Sequence, residues 1–318
     1  MQMMIIHFEV IYLITFAVAF LAFIAAMPVF LKVLRHIQWH EPLKADNADL
    51  HGHKAGTFSS GGFLILVLTL FVLRVFNQSG SQLTPLLLVC IAMFGFVGLI
   101  DDGLKIKTGQ GLRSKTKFLL LCLVGIAVYV LLPINPHFEF AAWLFALSVL
   151  VGSSNAVNLT DGVDGLATST VIVALVIFTL SLLGVNHWFS HLPVTTVSLL
   201  ITINFALMGV CLGFLCFNKH PAIIFMGDTG SLALGGYLAI LALMSQSPWS
   251  YALVGGVFVL EVLSVIVQVA SFKITGKRVF KRAPIHHHFE KIGWDENTIV
   301  ICFSFIGLCG GLAALFWF

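Results

Sequence analysis

LTPLLLVCIAMFGFVGLIDDGLK, residues 83–105, decides how the rest of the chain is read. An uncharged apolar run meets two adjacent aspartates, Asp101 and Asp102, with Lys105 one helical turn further on. A helix needs about 20 apolar residues to cross the hydrocarbon of a bilayer. The run therefore predicts a membrane-spanning helix near 84–101 that ends in charge at the water boundary.

Outward from it the pattern repeats. Apolar runs near 10–34, 59–76, 84–101, 117–133, 140–157, 166–185, 195–217, 230–246, 250–274 and 298–318 predict about ten transmembrane helices. Composition agrees: 59% of residues are hydrophobic and 10% charged, with mean hydropathy +1.02, against roughly half apolar and a quarter charged in soluble domains. A soluble fold is excluded, and residues 1–318 read as a single all-α, multi-pass domain whose solvent is the lipid bilayer. Nothing suggests a nucleic-acid partner. The N-terminal run lacks a basic lead and a small-residue cleavage site, so it reads as a span and not a signal peptide. The six cysteines lie in apolar runs without a C-x-x-C pair and read as packing residues.

An even number of spans puts both termini on one side. The loops around 35–58, 102–116, 158–165, 218–229 and 275–297, with the adjoining span ends, hold every one of the 17 Lys and Arg residues except Arg74. The positive-inside rule makes these loops cytoplasmic and both termini external, that is periplasmic. Asp101, Asp102, Asp161, Asp164 and Asp228 took no part in that assignment, yet all fall on the same face. A carboxylate against an apolar helix end is costly without a partner, so the active site is expected there. Asp46, Asp49, Asp295 and Glu296 read instead as solvated loop charge.

Four constellations could carry chemistry. Asp101 and Asp102 repel at a low-dielectric boundary unless a cation neutralises them, which suits a metal site or a general base; an i,i+4 ion pair of Asp101 with Lys105 accounts for them equally well. In Asn155–Ala167, NAVNLTDGVDGLA, helical spacing puts Asn155, Asn158 and Asp161 on one face with Asp164 a step beyond, and Gly162 and Gly165 permit close backbone approach. In Phe225–Gly236, FMGDTGSLALGG, Asp228 opens a helix where Thr229 and Ser231 can cap and free N–H groups could meet phosphate; Asp228 could equally be that cap. In Lys277–Glu296 a basic cluster precedes His286, His287 and His288, which cannot all face one ligand but suit pyrophosphate charge. Within the ninth span, Glu261 and Gln268 share a helical face and read as structural hydrogen-bonding groups turned from lipid. The segment His51–Gly62, HGHKAGTFSSGG, looks like an anion-binding turn without the Walker pattern.

Taken together, H-x-x-K-x-G-T, D-D-x-x-K, N-A-V-N-L-T-D-G-x-D-G-L-A, F-M-G-D-x-G-S-L-A-L-G-G and A-P-I-H-H-H-F-E, in order across about residues 51–296, resemble the polyprenyl-phosphate N-acetylhexosamine-1-phosphate transferase superfamily. The histidine triplet resembles its phospho-N-acetylmuramoyl-pentapeptide transferase branch. The resemblance implies ten transmembrane helices with external termini in the bacterial cytoplasmic membrane. The reaction it implies joins UDP-MurNAc-pentapeptide to undecaprenyl phosphate, giving lipid I and UMP, with Mg²⁺, in peptidoglycan synthesis. It also implies roles: Asp228 as Mg²⁺ ligand, Asp101 and Asp102 in activating the lipid phosphate, and His286, His287 and His288 on the diphosphate side. Lys54, Thr57, Lys105, Lys117, Asn155, Asn158, Asp161, Asp164, Phe225 and Gln268 would form the substrate-binding set, and a homodimer is compatible with the family. One departure stands out: Thr57-Phe58-Ser59-Ser60 replaces the family's usual Thr-Pro-Thr-Met. A transporter would also be polytopic with acids in its spans, but its site would lie near the midplane, whereas these aspartates gather at one face.

Overall fold

The computed structural model describes residues 2–40, 56–76, 83–132, 140–245 and 247–317. Each apolar run forms a helix: α1 (Gln2–His36), α2 (Gly61–Phe76), α3 (Leu83–Thr108), α4 (Ser114–Leu131), α5 (Phe140–Thr160), α6 (Leu166–Leu182), α7 (Val194–Asn218), α8 (Gly227–Met244), α9 (Gly256–Thr275), the short α10 (Ile285–Lys291) and α11 (Glu296–Trp317). Eight of these are long and apolar enough to cross a membrane; α2 and α6 are apolar but shorter. The described chain is that of an all-helical, multi-pass membrane protein.

The bundle is organised around α8, which is buried along almost its whole length. Lipid offers no hydrophobic drive for helices to associate, so close approach through small residues supplies the packing. A side chain at Gly62 of α2 would come within 2.1 Å of the Gly230 nitrogen, and one at Gly98 of α3 within 2.2 Å of the Asp228 carbonyl. These contacts let α2 and α3 lie directly on the first turns of α8. Deeper in, Asn204 of α7 accepts from the Tyr237 hydroxyl at 2.7 Å and donates to Thr179 at 3.0 Å, a buried polar link between α6, α7 and α8. All six cysteines are free. Cys90 and Cys211 pack in the core as expected, but Cys216 and Cys309 are exposed on the helix surface.

Before α8 the chain is extended. Phe58 bridges His40 on one side and Ile224 on the other. The Phe225 N–H donates to the Phe58 carbonyl at 2.8 Å, and Gly61 and Gly62 donate to the carbonyls of Phe225 and Met226 at 2.9 Å each. The departing segment Phe58-Ser59-Ser60 is thus held by main-chain bonds that do not depend on its side chains. Lys54, with the rest of His51–Ala55, lies outside the described residues.

Candidate active site

The site forms where α3 and α5 end and α4 and α8 begin. Asp102 is 2% exposed, and its carboxylate faces the first turn of α8. Oδ1 accepts from the Asp228 N–H at 2.9 Å, and Oδ2 accepts from the Thr229 N–H at 3.0 Å, the Thr229 hydroxyl at 2.7 Å and the Ser60 hydroxyl at 3.2 Å. A neighbouring helix therefore caps α8. Thr229 and Ser231, expected as caps, do something else: Thr229 binds Asp102, and Ser231 donates to the Gly227 carbonyl at 3.0 Å. An anionic side chain on the positive end of α8 gains from both the orphan N–H groups and the helix dipole.

Asp101, its neighbour in sequence, points the other way, into the cavity. It accepts from the Leu112 N–H at 2.5 Å and pairs with Lys105 at 2.8 Å. The local Asp101–Lys105 ion pair is thus present, and the same ammonium also reaches Asp228 Oδ1 at 2.7 Å. Asp228 Oδ2 accepts from Lys117 of α4. Asn158 of α5 closes the ring: it donates to Asp228 Oδ1 and to the Ser231 hydroxyl at 2.9 Å each, and accepts from Lys117 at 3.2 Å.

Asp101, Asp102 and Asp228 each offer a carboxylate oxygen within 4.8 Å of the others. All-oxygen donors suit a hard cation that keeps waters and bridges to phosphate. Asp101 and Asp228 line the cavity whereas Asp102 does not, and the Asp102 oxygens are committed to α8. The arrangement fits Mg²⁺ held chiefly by Asp228 with Asp101. Asp228 would be its chief ligand, and the ion would supply charge neutralisation for phosphate oxygens beside Lys105 and Lys117.

The cavity has a volume of about 930 Å³ and is lined by Asp101, Lys105, Lys117, Asn155, Asn158, Asp161, Asp164, Phe225, Asp228 and His287 among the residues singled out from the sequence. Helix α5 ends at Thr160, so Asp161 and Asp164 reach the cavity from the turn that follows and not from a continued helical face. Asp164 is the junction of three loops. It accepts from the Ala222 N–H at 3.0 Å, lies 3.1 Å from His220 Nδ1, and its own N–H donates to Glu296 at 3.0 Å. Glu296 is therefore a tie between loops and not the solvated charge that was expected.

The histidines diverge. His286 is wholly buried, and His288 accepts from the Lys281 N–H at 3.1 Å, away from the cavity. His287 lines it, with Nδ1 2.5 Å from Glu290. Burial holds His287 below the ordinary histidine pKa, against the opposing pull of Glu290, so it meets a ligand at neutral pH as a neutral imidazole. The unfolded chain binds this proton near pH 6.5, the folded chain only lower. The contribution of His287 to stability is therefore complete above about 6.5 and is lost as pH falls below it. Thermal unfolding in detergent between about pH 6.5 and 5 should show a shallower loss for His287→Gln than for the wild type.

Two members of the substrate-binding set, Gln268 and Thr57, are not among the residues that line the cavity. Gln268 donates to the Phe280 carbonyl at 3.0 Å and accepts from the Val279 and Phe280 N–H groups at 3.0 and 2.9 Å, holding the basic loop. Thr57 is half-buried in the extended segment, and Ser59 is the residue of that segment that lines the cavity. Sequence reasoning missed Gly111, Leu112, Ser114, Lys115, Phe118, Leu121, Asn218 and Val265, which also line it. Asn218 carried a signal, a buried amide at a helix end; it ties the Gly165 N–H and Thr168 hydroxyl to the Ile224 carbonyl. Leu112 carried none, because only its backbone acts.

The matches to known proteins fall on this same region. The family model described as Glycosyl transferase family 4 matches residues 84–246. A protein of Clostridium acetobutylicum named phospho-N-acetylmuramoyl-pentapeptide-transferase is 39% identical over 305 residues, covering 91% of this chain and 93% of the relative. The chain belongs to the phospho-N-acetylmuramoyl-pentapeptide-transferase family. Proteins of the same name from Clostridium beijerinckii and Bacillus mycoides are also 39% identical, over 304 and 315 residues, covering 90% and 93% of this chain and 90% and 94% of the relatives. The family match runs from the start of α3 to just past α8, the helices that supply Asp101, Lys105, Lys117, Asn158 and Asp228.

Proposed function

We propose that this protein transfers phospho-MurNAc-pentapeptide from UDP-MurNAc-pentapeptide to undecaprenyl phosphate, releasing UMP and forming lipid I, with Mg²⁺ as cofactor. Residues 1–318 act as one domain of the bacterial cytoplasmic membrane, crossing it ten times with both termini outside and the site on the cytoplasmic face; a homodimer is its proposed assembly. The observation that carries the reading is the Asp228 carboxylate at the head of α8, held by Lys105, Lys117 and Asn158 at the wall of a large cavity. The names of the relatives supply the substrate.

In this reading Lys105 and Lys117 are preset where diphosphate charge must be held, and Asn158 keeps both Lys117 and Asp228 in register. Such positioned charges dominate phosphoryl transfer, in which the protein does little covalent chemistry. When bound, Mg²⁺ supplies neutralisation of the diphosphate as charge shifts to the leaving nucleotide. An oxygen of the lipid phosphate attacks the β-phosphorus; the bond from that phosphorus to the bridging oxygen breaks, and UMP departs with the electron pair. A phosphate monoester is already largely dianionic near neutral pH, so the demand on a base is mild, and Asp101 is the cavity-facing carboxylate available. Direct displacement is favoured over an aspartyl intermediate, because the lipid phosphate brings its own ionised oxygen and needs only a mild base.

The test is UMP release by detergent-purified protein. Release should require UDP-MurNAc-pentapeptide, undecaprenyl phosphate and Mg²⁺ together. Turnover with UDP-GlcNAc instead would reassign the donor, and labelling of the protein by nucleotide substrate alone would replace direct displacement with a two-step route.

A further inference from the structure

Glu261 lies in the second turn of α9 and His286 at the start of α10; both are fully buried. His286 Nδ1 is 3.1 Å from Glu261 Oε2. The approach is out of line for a hydrogen bond, and neither carboxylate oxygen nor either ring nitrogen makes one among the described residues. A small apolar core of Val163, Leu166, Val257, Ile299 and Phe303, on which Ile285 and Phe289 pack, is built from the same α9 and α10 together with α6 and α11. Burying a carboxylate in such a place costs several kcal/mol, and an ion pair seldom improves on well-packed apolar residues of the same volume. Packing alone therefore does not account for the pair.

The far edge of the same ring supplies the reason. A Cβ at Gly162 would lie 2.4 Å from His286 Nε2 and 3.4 Å from His287 Cε1. The turn that follows α5 is seated directly on the imidazole, with no room for a side chain between them. That turn carries Asp161 and Asp164 into the cavity, and it continues the helix end that carries Asn158. The His286 and His287 rings are themselves in contact, with centroids 4.2 Å apart.

We propose that Glu261 is a positioning residue: through His286 it sets the Gly162 turn, and with it the Asn158–Asp164 wall of the cavity, in the geometry that receives the nucleotide-sugar. The identity of that ligand rests on the transferase reading above. The role of the pair does not.

Hydrogen–deuterium exchange on purified protein tests the positioning directly, with Glu261→Leu, Glu261→Gln and Gly162→Ala beside the wild type. Glu261→Leu should speed exchange of amides 158–167 about tenfold while α8 amides stay as in the wild type. Glu261→Gln keeps the size of the side chain and a polar group against the ring, and should stay near the wild type. Gly162→Ala should reproduce the loop effect with Glu261 intact. In turnover assays the Glu261→Leu effect should be about a tenfold rise in KM for the nucleotide-sugar, with KM for the lipid phosphate unchanged. Unchanged exchange at 158–167, or faster exchange spread equally over α8, overturns the proposal by making Glu261 irrelevant to the turn or merely structural. If Glu261→Leu does not fold, His286→Leu takes its place: exchange at 158–167 and KM both at wild-type values refute the proposal. A wild type that binds no nucleotide-sugar refutes the transferase reading, and the exchange result still decides the positioning.

Discussion

Asp228→Asn is expected to lower Mg²⁺-dependent UMP release by about two to three orders of magnitude, the loss that follows removal of one preorganised charge contact at a reacting phosphate. The substitution keeps the size of the side chain but removes the charge that Lys105 and Lys117 share. It also presents an NH₂ group to one of two ammoniums, a donor facing a donor. The helix should survive, because the cap of α8 comes from Asp102 and engages the Asp228 backbone and not its side chain. The expected signature is thus an inactive protein that keeps the α8 cap and has a weakened response to added Mg²⁺. Full activity in the variant would remove Asp228 from the chemistry.

Adjacent aspartates should part company in the second experiment. Asp102→Asn places an amide where two backbone N–H groups and two hydroxyls now donate to a carboxylate, so a buried donor meets donors. Losing buried, charge-assisted bonds of this kind costs about 3 kcal/mol or more, which for a chain this long lowers the unfolding temperature by about 5–10 °C. Activity should fall as well, because the head of α8 carries Asp228. Asp101→Asn is expected to lose activity about a hundredfold with a smaller change in unfolding temperature than Asp102→Asn, since its carboxylate lines the cavity, where it accepts from the Leu112 N–H and pairs with Lys105. Equal thermal loss in the two variants would mean that the two carboxylates share one role. The comparison is best made by differential scanning fluorimetry beside the UMP assay, on the same preparations.

The length and charge of the apolar runs were enough to place the long apolar helices, though not the short α10, because a bilayer demands about 20 consecutive apolar residues and tolerates charge only at their ends. Motif spacing and the family resemblance supplied Asp101, Lys105, Lys117, Asn155, Asn158, Asp161, Asp164, Phe225, Asp228 and His287 as candidates, and the fold brings all ten to one cavity. Residue type and spacing could not distribute the work among them. Asp101 and Asp102 are equivalent in sequence, yet successive positions on a helix differ by about 100° in direction, which sends one into the cavity and the other onto the end of α8. The three histidines are likewise indistinguishable as text; direction alone assigns one to a buried glutamate, one to the cavity and one to the basic loop. Gln268 and Glu296 are spent on backbone groups of distant loops, which no local pattern reveals. By itself the sequence determined a membrane-embedded helical enzyme with a charged face, because solvent preference is a property of residue composition. Only the tertiary structure decided which carboxylate holds the helix, which faces the reaction and which sets a histidine, because those differences arise from direction and neighbours, and neighbours are set by packing.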